Sequence, residues 1–240
     1  MRDFIKTEWA KLREMNFTDK RQYIWEYYKL HLFLIGCGLF LLGSLINVWF
    51  INPPKHEYVY FAWQAGFIHP ERLDELGERL TVIVPDPSRY VVSVRSYVLT
   101  GEPPRDQALI TRFHALMTVG DIHGMLTTRE GVYEGAVFGI LVSPHVVLDF
   151  LREDNPALYE EMSRRLLYLT FTPYEGEEIT IAAAINLSGL PMLAAVGIDM
   201  EDLYLGVLVG SEYYHRIAAA LTAMYEYVPE YTEYEAEYEA

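Results

Sequence analysis

Leu32 to Ile51 reads LFLIGCGLFLLGSLINVWFI, twenty residues inside a gap from Lys29 to Lys55 that holds no formally charged side chain. No soluble domain easily buries such a run. At about 1.5 Å per residue the helix is about 30 Å long, the hydrocarbon thickness of a bilayer, with every backbone N–H and C=O satisfied internally. The stretch predicts a transmembrane helix over 31–52. It divides the chain into a leader over 1–30, the helix, a folded domain over 55–227 and a tail over 228–240.

Rings flank the span: Tyr23, Trp25, Tyr27 and Tyr28 before it, Trp49 and Phe50 at its end, side chains suited to the headgroup level. Asn52-Pro53-Pro54 stops the helix, because proline has no N–H to donate and disfavours helical geometry in the residue before it. The leading 29 residues carry seven basic and five acidic side chains, and the remaining chain twelve and 29, which together give the net charge of −15. Basic residues are retained on the cytoplasmic side, so the N-terminus is expected inside and a strongly acidic body outside, at the cell membrane. A cleavable signal would have a shorter apolar run and a small-residue cleavage site, which is not found here. Leu34-Ile35-Gly36-Cys37 resembles a bacterial lipobox, but most of the apolar run follows the cysteine, so Cys37 reads as a small residue within a signal-anchor. As the single cysteine it forms no intramolecular disulfide, and the body must hold together by burial.

In the leader, Phe4, Ile5, Trp9, Leu12 and Met15 recur at roughly helical spacing among Lys6, Lys11, Arg13 and Glu14. Two readings stand side by side: an amphipathic helix on the inner membrane surface, and a loosely ordered tail. Thr18 reads as an N-cap with Asp19 in the first turn, opening a helix that continues into the membrane.

Met15-Asn16-Phe17-Thr18-Asp19-Lys20 followed by Tyr23-Ile24-Trp25-Glu26-Tyr27-Tyr28-Lys29-Leu30-His31 resembles the juxtamembrane segment of a group of small single-pass bacterial membrane proteins, mostly uncharacterised. Many of these carry an outer domain similar to the substrate-binding proteins of ABC transporters. Two stretches of the body extend the resemblance: Gly101 to Asp121, and Ile185 to Pro191 with Gly197-Ile198-Asp199 and Leu203 to Val209. It implies a reduced periplasmic-binding-protein-like fold, since about 170 residues suffice for one good core but are short for two lobes.

Read from the residues alone, Glu57 to Ala65 is a strand, and His69-Pro70-Glu71 opens a helix with Leu73, Leu76 and Leu80 on one face. Thr81 to Val84 is β-branched and reads as extended. Tyr90 to Leu99 alternates as a strand, and Arg105 to Val119 reads as a helix burying Ile110, Phe113 and Met117. Glu134 to Val142 is a strand candidate. Helices follow from Ser143-Pro144 with Val147, Leu148 and Leu151, and from Asn155-Pro156 through Leu158, Tyr159, Met162 and Leu166. Ile179 to Ile185 and Leu203 to Val209 are strands, and a closing helix carries Ile217, Leu221 and Met224. The alternation predicts a layered α/β domain with a parallel or mixed sheet.

The sharpest chemical signal is Gly120-Asp121-Ile122-His123-Gly124, which resembles the G-D-x-H-G opening block of calcineurin-like metallophosphoesterases. In that family a carboxylate and a histidine two residues apart reach a metal that activates water. The family's later blocks are missing: Asp149, Asp154, Asp199, Asp202, His145 and His215 lie in other contexts, and neither Asn155 nor Asn186 precedes a histidine. The bland reading is a polar turn between a helix and a strand. His114 reads as a partly buried core histidine and His145 as part of an exposed first helical turn. Ser143, Ser188 and Ser211 form no nucleophile elbow, and no nucleotide-binding loop occurs. The tail, EYTEYEAEYEA after Pro229, has nothing aliphatic to bury and reads as solvated.

The expectation is a non-enzymatic, extracytoplasmic binding or interaction module. It would be held in the lipid bilayer through Leu32 to Ile51, take a small solute or a membrane-protein partner, and use no nucleic acid, metal or cofactor. The alternatives are a metallophosphoesterase-like hydrolase using Asp121 and His123, and a structural subunit of a membrane complex. No catalytic residue and no particular ligand-binding residue is assigned.

Overall fold

The computed structural model describes residues 9–10, 13, 15–51, 53–172 and 177–229. It separates into two units, Met1–Pro54 and Lys55–Ala240. The first is dominated by α1, Phe17–Ile46, which widens into π-helical turns over Asn47–Ile51. Its N-cap is Asn16, whose side chain accepts from the Thr18 N–H at 3.1 Å; the cap therefore lies two residues earlier than Thr18, which sits in the first turn. Within this rod Lys29–Ile51 has a mean hydropathy of 2.1 and no buried side chain among the described residues, and is long and apolar enough to cross a membrane. Cys37 is exposed on it. Most of the expected leader helix, and the tail from residue 230, lie outside the described residues.

The second unit is built on one mixed sheet of seven strands among the described residues: β1 His56–Trp63, β2 Tyr90–Ser96, β3 Gly124–Thr127, β4 Leu141–Val142, β5 Leu166–Phe171, β6 Ile179–Asn186 and β7 Tyr204–Leu208. The order is β2-β1-β3-β7-β6-β5, with β4 also paired to β7. β1, β2 and β3 are parallel, and β7 runs antiparallel to β3, β4 and β6. All strands share this sheet, so the described residues contain no second sheet around which another lobe would form.

The connections explain the layers. β1 steps to β2 in one direction, through α2 (Pro70–Leu80), and β2 steps back over β1 to β3 through α3 (Pro103–Thr118). Crossovers of one hand must then put the two helices on opposite faces. They do: Leu73, Leu76 and Leu80 pack with Phe61, Trp63, Val92 and Val94 in the main core, whereas Phe113 packs with Tyr60, Ala62, Tyr97 and Met125 on the other face. Helix α4 (Arg129–Val137) joins that second face through Val132 and Ala136. Helices α5 (His145–Asp154), α6 (Pro156–Arg164), α7 (Pro191–Ala195) and α8 (Tyr214–Glu226) cover the first. With both faces covered, the β1 run Val59 to Trp63 is buried continuously.

Three expectations are corrected. Thr81 to Val84 is a 3-10 turn over Thr81–Ile83, not extended: the Thr81 hydroxyl donates to the Gly77 carbonyl, and Val82 is 76 % exposed, with no neighbouring strand to receive it. Glu134 to Val142 is not one strand: Glu134 to Val137 ends α4, which Thr128 caps by accepting from the Gly131 N–H, a turn follows, and only Leu141–Val142 is strand. The helix opened by Asn155 ends at Arg164, and Leu166 begins β5. The Asn155 cap itself is present, its side chain accepting from the Leu158 N–H at 3.1 Å.

Candidate functional site

The Gly120 to Gly124 segment has a local structural explanation at every position but Asp121's side chain. Gly120 (φ 78°) follows α3; its N–H donates to the Met117 carbonyl and that of Asp121 to Leu116, the paired bonds of a Schellman helix stop. A Cβ on Gly124 would lie 2.8 Å from Leu205 and 3.1 Å from Phe61. Ile122 is core. His123 is 3 % exposed, and its Nδ1 accepts from the Tyr60 N–H at 3.1 Å. Tyr60 lies where β1 has already begun and β3 has not, so the imidazole replaces a strand carbonyl that is missing there.

That acceptor role puts the imidazole hydrogen on Nε2, which is buried without a partner. The ring stands beside Tyr213, at 5.5 Å between centroids. Arg216, whose guanidinium lies between the Tyr58 and Tyr213 rings at 4.3 and 3.8 Å, donates to the Tyr58 carbonyl. Burial first, and then the Arg216 charge, hold the His123 pKa down to about 4, against the opposing pull of Asp121. Asp121 is exposed, and no group of three or more metal-ligating side chains gathers among the described residues. His145 is exposed at the start of α5, and His215 is exposed against Phe150 and Tyr213. The Ser188 hydroxyl donates to the Glu201 carbonyl. The structure therefore does not bring the sequence candidates together.

What it assembles instead lies at the opposite end of the parallel strands. β1 and β3 are neighbours whose connections leave in opposite directions, which makes a topological switch point, and ligands of open α/β sheets bind outside the carboxyl ends of the strands at such a point. Here an open groove of about 520 Å³ is lined by Gln64, Tyr97 and Thr127 at those ends, by the exposed side of α3 and by the first turns of α4. The size is that of a small-molecule site. The residues are tied in place by backbone bonds: the Gln64 N–H donates to Leu126 and the Tyr97 N–H to Trp63. Asp106 accepts from the Thr100 and Gly101 N–H groups and so fixes the turn at the groove's rim, and the Thr100 bond holds its carboxyl below the usual range.

The wall formed by α3 differs from the sequence expectation. Phe113 is buried, but Ile110 is 38 % exposed in the groove and Met117 only half-buried; Leu109 takes the inward position. His114 is exposed and lines the groove, so it is not a core histidine. On the floor, the Tyr60 and Tyr97 hydroxyls are 2.7 Å apart; burial and this bond raise the Tyr60 pKa. Thr127, 1 % exposed, lines the groove with a hydroxyl bonded to no other described residue. α4 comes so close that a Cβ on Gly131 would sit 2.1 Å from that hydroxyl oxygen. The sequence reading missed Gln64, Tyr97, Thr127, Glu130 and Glu134 because four separated segments meet only through the sheet order. The available signal was the two glutamates four residues apart, legible only once 129–137 is helical. Comparison with protein-family models, curated proteins and solved structures finds no match to this chain.

Proposed function

We propose that the chain is a membrane-anchored, non-enzymatic binding module, similar to a solute-binding domain, whose Lys55–Ala240 unit takes a small solute at the carboxyl ends of β1, β2 and β3. The observation that carries this reading is the groove itself, with an aliphatic wall from α3 facing convergent polar groups from α4 and the strand ends, at a topological switch point. Lys29–Ile51 supplies the anchor, and the basic leader puts the N-terminus on the cytoplasmic side and the acidic unit outside. Thermal-shift screening of the full chain in lipid nanodiscs against amino acids, sugars, amines and carboxylic acids tests it. Hits should vanish when Leu109→Trp fills the groove; hits that survive place binding elsewhere. Protease added to intact cells should remove the body, and its resistance would contradict the assigned side.

The hydrolase reading rests on the unpartnered Nε2 of His123, two residues from Asp121. Against it stand the occupied Nδ1 and the Arg216 cation, whose charge disfavours further positive charge at the imidazole. Stoichiometric manganese, iron or zinc in the purified chain, lost on Asp121→Ala, would transfer the function there. A structural subunit recognised through the anchor is the remaining reading, and crosslinking with a swapped membrane helix tests it.

A further inference from the structure

The groove's polar groups select a class of solute. Glu130 and Glu134 both line it from one side of α4, and neither carboxylate has a partner among the described residues. Like charges four residues apart on a helix repel, so the pair works against α4 unless something positive joins it. No lysine or arginine lines the groove. The N-terminus of α4, equivalent to roughly half a positive charge, opposes the two full negative charges, while the exposed Arg129 and Arg112 stand nearby but outside the lining. The balance is negative, so an anionic solute is disfavoured.

Thr127 adds an independent observation. Its side chain is almost wholly buried, yet its hydroxyl has no protein partner among the described residues and lines the groove. The oxygen is not among the fully sealed unpartnered atoms, so the little area it exposes faces the open side, where a ligand or a water can complete it. Beside it the Tyr97 and Phe113 rings, edge to face with centroids 5.5 Å apart and each nearly buried, close the base of the groove. Leu109 and Ile110 add an aliphatic wall.

Resting on the binding-module reading above, we infer that this groove takes a small amphipathic organic cation. A primary ammonium group would donate to the Thr127 hydroxyl and lie in the field of Glu130 and Glu134, with its apolar body against Leu109, Ile110 and Phe113. The binding is non-covalent, and its charge component weakens with salt.

Three probes of one shape test it on the full chain in nanodiscs of zwitterionic lipid: phenethylammonium, 2-phenylethanol and 3-phenylpropionate, titrated by calorimetry with saturation-transfer NMR. Phenethylammonium should bind at least tenfold tighter than the alcohol, and the carboxylate weakest. The double variant E130Q/E134Q should weaken the cation tenfold or more with an unchanged Tm, and Thr127→Val should weaken it about fivefold. Equal binding of the three probes, or an unaltered affinity in E130Q/E134Q, overturns the cation assignment. If the alcohol or the carboxylate binds best and is lost in Leu109→Trp, the groove remains a binding site and only the solute class falls. If none of the probes binds, the cation assignment falls, and the wider solute screen decides the groove separately.

Discussion

The two ends of the parallel strands β1 and β3 are finished in opposite ways. At the amino end, His123 supplies the acceptor that Tyr60 lacks, Arg216 lies between two tyrosine rings, and Gly120 closes α3 against the Gly210 carbonyl. At the carboxyl end, Glu130, Glu134 and the Thr127 hydroxyl have no partners among the described residues, and Ile110 faces open space. The amino end keeps two nitrogens without partners, His123 Nε2 and Arg216 Nε, but both are sealed in the core and hold the fold, whereas the unpartnered groups of the carboxyl end open onto a groove and are poised for something outside. The most motif-like segment of the sequence thus falls at the structural end, and the residues proposed for binding fall where the sequence is plain.

The largest expected effect comes from the amino end. Gly120→Ala places a side chain at φ 78° with its Cβ 2.8 Å from a backbone oxygen. Left-handed strain and overpacking together should cost about 4 kcal/mol in chemical denaturation. His123→Ala should cost about 3 kcal/mol, by leaving the buried Tyr60 N–H without its acceptor and opening a cavity. His123→Asn, which keeps a nearby oxygen, should recover part of it. Neither His123 variant should alter solute affinity in the groove, and a large loss there would erase the distinction between the two ends.

The imidazole also gives a pH signature. In the unfolded chain it takes a proton near pH 6.5, and in the fold only near 4, so the unfolded state binds more protons between these values. Its stabilisation is complete above about pH 6.5 and falls as the pH drops toward 4, by roughly 3 kcal/mol in all. Denaturation at a series of pH values should show this slope in the wild type and a smaller one in His123→Asn. The smallest effect belongs to the carboxyl end: Glu134→Gln should leave stability unchanged or raise it by about 0.3 kcal/mol, because it relieves repulsion with Glu130. A clear destabilisation would mean that the carboxylate serves the fold.

Much of this architecture was legible from periodicity and caps. Leu73, Leu76 and Leu80, the Asn155 cap, and Ile217, Leu221 and Met224 all sit as read. The misses have physical causes. Leu166 continues the helical spacing of Leu158 and Met162, and only its pairing with Ile185 makes it a strand. The β-branched Thr81 to Val84 found no neighbour to pair with, and Gly135, which weakens a helix prediction, is where Leu141 packs closely on α4. For the site, the sequence offered Asp121 and His123 because they are adjacent, while Gln64, Tyr97 and Thr127 become neighbours only through the order β2-β1-β3. Local pattern reports helices and turns; a site at strand ends is a property of topology.

Hydrogen exchange across the full chain, with and without saturating phenethylammonium, tests the division of labour between the two ends most directly. Added protection should appear over residues 97–114 and 127–134 and leave 120–123 and 213–216 as they were. Protection centred on His123 and Arg216, or none anywhere, would contradict it.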